Sequence, residues 1–210
     1  MAALPGRSAQ VKLSGAGVAT TGEATTDVGG LHTTYQITNA AHQVLDPQAV
    51  VTVKKNGAVQ SASLYTLDRL FGRVTFLSAL LGSDTVTIDG TYLPMAAVAA
   101  CHDFDYSITS TNADATTFDS AGWTERVPVL GDVQGTLDRF WQADELFMAA
   151  INGLSGVAML ELRESSANAG ARIWCLFSKS EVKASPSSLI DEAVAFEGAA
   201  DANGRAVSTP

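Results

Sequence analysis

The sequence predicts a mainly β protein: a sandwich or flattened barrel with one short α-helix, preceded by a hairpin-rich N-terminal half. Three observations predict it. Apolar and polar residues alternate with a period of two in Thr33–Thr38, His102–Thr109 and Ile190–Glu197, the mark of strands with one buried face. Three runs share a Val-Thr-hydrophobe core (Val51–Val53, Val74–Phe76, Val86–Ile88), and β-branched residues favour the pleated state. One segment alone, Ala143–Asn152, has a helical pattern with helix end signals.

Taken in order, Ser8–Ser14 places Val11 and Leu13 between polar residues and reads as a first strand. Gly15–Gly30 is rich in Gly, Ala and Thr and has little bulk to bury, so it reads as a flexible loop or arm. The Val-Thr strands are punctuated by Asn56-Gly57, Gly82-Ser83 and Asp89-Gly90, where glycine supplies the positive φ of tight turns. Arg69–Phe76 reads as a further turn entering a strand. Residues 1–95 therefore form a β-meander of about five strands. Pro94 and the small residues after Met95 mark a soft boundary, residues 96–198 form the second region, and 199–210 read as a mobile tail.

In the second region, Phe104, Tyr106 and Ile108 lie with His102 on one strand face and Asp103, Asp105, Ser107 and Thr109 on the other. A polar loop follows, carrying Asp114, Thr116 or Thr117, Phe118, Ser120, Gly122 and Trp123. Glu125–Leu137 gives two short strands about a Gly131-Asp132 turn. In the helix, Asp144 and Glu145 favour the positive dipole end and Gly153 suits a left-handed cap. Leu146, Phe147, Ala150 and Ile151 form its apolar stripe, and Leu146, Phe147 and Ile151 are the expected anchors to the sheet. Leu154–Glu164 and Arg172–Val182 read as strands around a Ser165–Gly170 turn, the second apolar on both faces at its start.

This succession of strand, Asp-Thr-Phe-Ser-Gly-Trp loop, strand, Gly-Asp turn, strand and helix resembles the major tail tube proteins of long-tailed bacteriophages, over roughly Val98–Gly198. The resemblance implies a structural virion subunit whose protomers close six-membered rings, stacked into a hollow tube for DNA ejection. It implies as partners further copies of the chain, a tape measure protein, and tail terminator and baseplate proteins, with DNA passing through the lumen unbound. Assembly in the host cytoplasm and residence in the virion tail follow from it. Gly15–Gly30 and the C-terminal tail would correspond to the family's segments that bridge rings.

Composition sets the remaining bounds. The net charge is −9, with 13 basic and 22 acidic residues. Through Ala99 six of each balance, which leaves 13 − 6 = 7 basic against 22 − 6 = 16 acidic residues from Ala100 onward. A nucleic-acid-binding surface has the opposite sign, whereas a surface that repels a polyanion fits. Asp103 and Asp105, about 7 Å apart on one strand face, are the first candidates for lumen-facing carboxylates.

No stretch is long and apolar enough to predict a membrane span, and Met1–Ser8 does not suggest a signal peptide. Cys101 and Cys175 lack C-x-x-C spacing and read as small apolar residues, and His32, His42 and His102 have no ligand spacing, so no metal or cofactor is expected. No G-x-S-x-G elbow, P-loop or dinucleotide fingerprint occurs, so no enzymatic role is expected. The alternatives are another tail component, such as a terminator or baseplate hub, and a β-sandwich module binding cell-surface carbohydrate or protein. For the latter, Trp123, Trp141 and Trp174 are the conceivable stacking residues.

Overall fold

The computed structural model describes residues 9–117, 123–142, 147, 157–163, 170–200 and 207–208. It is mainly β and its sheets are antiparallel, as the alternation predicts. In chain order the strands are β1 (Gln10–Ser14), β2 (Val18–Asp27), β3 (Thr34–Ile37), β4 (Thr52–Lys55) and β5 (Ala58–Val59). Next come β6 (Tyr65–Asp68), β7 (Arg73–Phe76), β8 (Val86–Tyr92), β9 (Met95–Ala97) and β10 (Cys101–Asp114). The last are β11 (Arg126–Phe140), β12 (Ala158–Arg163), β13 (Ala171–Lys183), β14 (Asp191–Gly198) and β15 (Val207–Ser208).

The chain folds into two compact units, one of Met1–Val98, Met159–Trp174 and Ala200–Pro210, the other of Ala99–Ala158 and Cys175–Ala199. The sequence places a single division near Met95. The structure instead returns residues 159–174 to the first unit, because β12 pairs with β1.

In the first unit a seven-stranded sheet runs β5-β4-β8-β2-β3-β7-β6. It is not a meander: β8 lies between β4 and β2, strands far apart in sequence. Its inward side chains, among them Tyr35, Ile37, Val53, Val74, Phe76 and Ile88, form one core cluster with Leu45. Burying each such side chain contributes about 1.5–3 kcal/mol.

Two turns follow the glycine reading. Asn56 (φ 50°) and Gly57 (φ 81°) join β4 to β5 as a two-residue hairpin. Gly72 (φ 58°) turns β6 into β7, where a Cβ would lie 2.7 Å from the Gln43 carbonyl oxygen.

Three turn or loop readings are corrected. Asp89-Gly90 is no turn but lies inside β8, where the Asp89 carboxylate accepts from the Gly22 N–H at 2.7 Å across a bulge in β2. Gly15–Gly30 is no free arm: β2 occupies most of it, hydrogen-bonded to β8 on one side and β3 on the other. Backbone pairing, not side-chain burial, holds this strand. In the tail expected to be mobile, Val207 and Ser208 pair with Ile173 and Arg172 of β13.

Candidate assembly surface

The second unit holds a sheet of long strands. β10 pairs with β11, β11 with β14, and β14 with the later part of β13, all antiparallel. β11 runs unbroken through Gly131 and Asp132, which oppose Ser110 and Thr109, so the turn expected there is a continuous strand. The long partner β10 supplies a hydrogen-bonding row along its whole length, which outweighs the local preference of a Gly-Asp pair.

The register sorts the side chains into two faces. Phe104 faces Leu137, and Tyr106 faces Gly135. On β14, Val194 and Phe196 oppose the same two β11 residues. Val133, Leu137, Val194 and Phe196 are buried. Gly135 is required at this crossing: a Cβ would lie 2.2 Å from the Asp105 carbonyl oxygen and 2.5 Å from the Phe196 ring.

This inner face also encloses an ion pair. Arg139 Nε donates to Glu192 Oε2 at 2.6 Å, with both side chains almost fully buried. The Ser180 hydroxyl donates to Glu192 Oε1 at 3.0 Å. The Arg139 guanidinium lies 4.7 Å from the centroid of the Phe147 ring, which meets Phe177 edge-on at 5.2 Å. Phe147 has helical backbone and is wholly buried. Leu146, Ile151 and the rest of the expected helix at 143–152 lie outside the described residues.

The opposite face is polar. Asp103 and Asp105 are exposed on it, as the alternation predicts. Asp105 accepts hydrogen bonds from the Thr136 N–H at 3.2 Å and from the Thr136 hydroxyl. Asp103 stands directly opposite Asp138, a like-charge cross-strand pair that costs the sheet stability. Asp132, Asp191 and Glu197 share this face by register, and Lys179 and Lys183 lie on β13 at the far side.

His102 departs from its expected place among the apolar residues. A register shift between Cys101 and Asp103 turns it outward, where its ring lies 4.7 Å from Phe140 and its Nε2 is 3.6 Å from Asp191 Oδ1.

At the end of β10 the backbone closes a stem: Ala115 N–H donates to the Glu125 carbonyl at 2.9 Å, and Glu125 N–H to the Thr116 hydroxyl at 3.0 Å. Residues 118–122 of the Asp-Thr-Phe-Ser-Gly-Trp loop lie outside the described residues, while Trp123 is 81% exposed.

Of the two cysteines, Cys101 is on β10 and Cys175 on β13, with β11 and β14 between them. Burial pushes the Cys101 thiol up to about 11. Among the described residues no three His, Cys, Asp or Glu side chains are grouped to hold a metal ion. No described helix is long and apolar enough to cross a membrane.

The sequence misses the Arg139–Glu192 pair because its partners lie 53 residues apart and meet only through the β11–β14 register.

No family model matches this chain, and no curated protein does. Seven chains of solved structures match it. One belongs to "Tail of empty GTA particle computed with helical refinement, C6 symmetry": 12% identity and TM-score 0.45, covering 56% of this chain and 87% of that one. Another belongs to "Virion of native gene transfer agent (GTA) particle": 13% identity and TM-score 0.43, covering 54% of this chain and 87% of that one.

Proposed function

We propose that the chain is a structural, non-catalytic subunit of a tail-tube-like assembly, whose second unit joins copies of itself into rings and turns its polar face toward a central bore. The observation that carries this reading is the combination on one sheet of a long open edge and an acidic face. Among the described residues β10 pairs only with β11. Its 14 residues extend about 45 Å at the usual rise per residue. Monomeric proteins shield such edges with lysine, proline, bulges or short strands; β10 has neither lysine nor proline, and its register shifts lie toward its ends, at Cys101/Asp103 and Thr111/Asn112. Pairing with a neighbour's sheet removes the edge, and a heterologous contact of this kind repeats until a ring closes.

The acidic face fits the same arrangement. Asp103 and Asp105 would project into the bore, where each carboxylate repeats once per subunit as a belt of negative potential. Such a belt repels phosphate within a Debye length of roughly 8–10 Å, so DNA passes without adhering. Stacked rings, a tape measure protein inside them, and terminator and baseplate proteins at the ends complete the proposed setting.

Sedimentation and negative-stain microscopy across a wide concentration range test the proposal. Rings or tubes with a central hole are expected, with no cofactor added. A strictly monomeric species would contradict it, and a monomer that binds glycans would favour the surface-binding module.

A further inference from the structure

We propose that the first unit carries an anion-binding pocket that takes a small dianionic group, a phosphate monoester or a dicarboxylate. The pocket encloses about 380 Å³, within the range of small-ligand sites. Its cationic wall is Lys12, Arg163 and Arg172, its apolar wall includes Val44, Pro94 and Met95, and Glu161 is the one carboxylate among its described lining residues.

The strands bring these residues together. Lys12 on β1 directly opposes Glu161 on β12. Lys12 Nζ lies 3.8 Å from Glu161 Oε2, Arg163 Nη2 3.1 Å from the same oxygen, and Arg172 Nε 3.1 Å from Oε1. Glu161 is 1% exposed and Arg172 6% exposed, so the centre of this group is withdrawn from water. Arg172 is also fixed by donation from Nη1 to the Leu70 carbonyl at 2.6 Å, and its guanidinium lies 4.4 Å from the centroid of the Phe71 ring.

Charge does not balance within the pocket. Among the described lining residues, three cations against one carboxylate leave 3 − 1 = +2. Asp68 acts on Arg172 from outside the lining, and more weakly than Glu161. His42, also on the wall, is already paired with Glu23 and stacked on Tyr92 at 3.9 Å.

Hydrogen bonding does not balance either. Arg163 Nε is buried without a partner among the described residues. Glu161 is shared by three cationic side chains. Burial alone would raise its carboxyl, but the hydrogen bond from Arg163 and the charge of Arg172 hold it below the usual carboxylate range, so it stays ionised and supplies one negative charge to the group. A partly buried cationic surplus that includes a guanidinium is the chemistry that recognises phosphate and carboxylate groups. The apolar wall leaves room for a short stem on the anion.

This inference is independent of ring assembly. The test uses the full chain at low ionic strength, with inorganic phosphate and succinate titrated separately and chloride at matched ionic strength as control. Both melting temperature and calorimetric heat are read. Saturable binding beyond the chloride control is expected, because a ligand of the native state raises the melting temperature with its concentration. Phosphate binding the tighter identifies a phosphate monoester site, and succinate binding the tighter a dicarboxylate site.

Arg163→Gln should weaken binding at least tenfold. Ala41→Asp, on an exposed 3₁₀ turn of the rim, adds a carboxylate without disturbing the buried group and should do the same in a normally folded protein. Heats and melting shifts no greater than with chloride, or binding that persists in Ala41→Asp, would overturn the proposal.

Discussion

Arg139 and Glu192 are the most consequential pair at the scale of single residues. Both are taken from water, so each depends on the other, on Ser180 and on the Phe147 ring for compensation. Glu192→Gln should lower stability by about 3–5 kcal/mol, since it removes the carboxylate charge paired with a buried guanidinium, whereas the double change Arg139→Met with Glu192→Leu should cost less than that single change. Urea midpoints of the three proteins check this, and a single variant within about 1 kcal/mol of the parent would show the pair to be hydrated. Phe147→Ala should cost about 3–5 kcal/mol, as expected for a fully buried ring. Glu161 sets a pH dependence. Its folded-state value is depressed, so its stabilisation is present above the unfolded value of about 4.3 and is lost as pH falls through the lower folded value. Melting temperature should therefore fall below about pH 4.5, and Glu161→Gln should flatten that slope while lowering stability at neutral pH. A parent profile as flat as the variant's would contradict this.

At the scale of elements, legibility followed local chemistry. The Asn56-Gly57 hairpin was readable because two positive φ angles need those residue types. β14 was readable because Glu192, Val194 and Phe196 are buried and alternate with partly exposed neighbours. β2 was not, because few of its side chains are buried and the pairing that makes it a strand comes from β8 and β3. Gly131-Asp132 misled for the same reason: a turn signal yields when a long partner strand continues past it. In the candidate surface, Asp103 and Asp105 were legible from period two, while Asp138 opposite Asp103 required the register. An open edge cannot be read from one strand's sequence at all. The edge yields its own prediction. Amide exchange in β10 should slow on assembly, while exchange in β11, already paired on both sides, should change little. Unchanged β10 exchange in assembled material would move the contact to another edge.

At the scale of the whole molecule, the acidic excess from Ala100 onward is a property that local folding does not require. The cross-strand Asp103–Asp138 pair costs stability, a cost for which the proposed bore would supply a purpose. Asp103→Lys with Asp105→Lys should fold, since exposed charge swaps usually cost little, apart from the lost Thr136 bonds. It should hinder DNA passage through assembled particles, more at low salt than at high. Equal passage at all salt concentrations would reject the electrostatic role. The central claim, that copies of this chain close a ring around the acidic face of β10 and β11, is tested most directly by a cryo-EM map of assembled particles. The account predicts Asp103 and Asp105 on the wall of a negatively charged bore, with β10 paired to a neighbouring subunit. Both aspartates on the outer surface, or a neutral or positive bore, would contradict it.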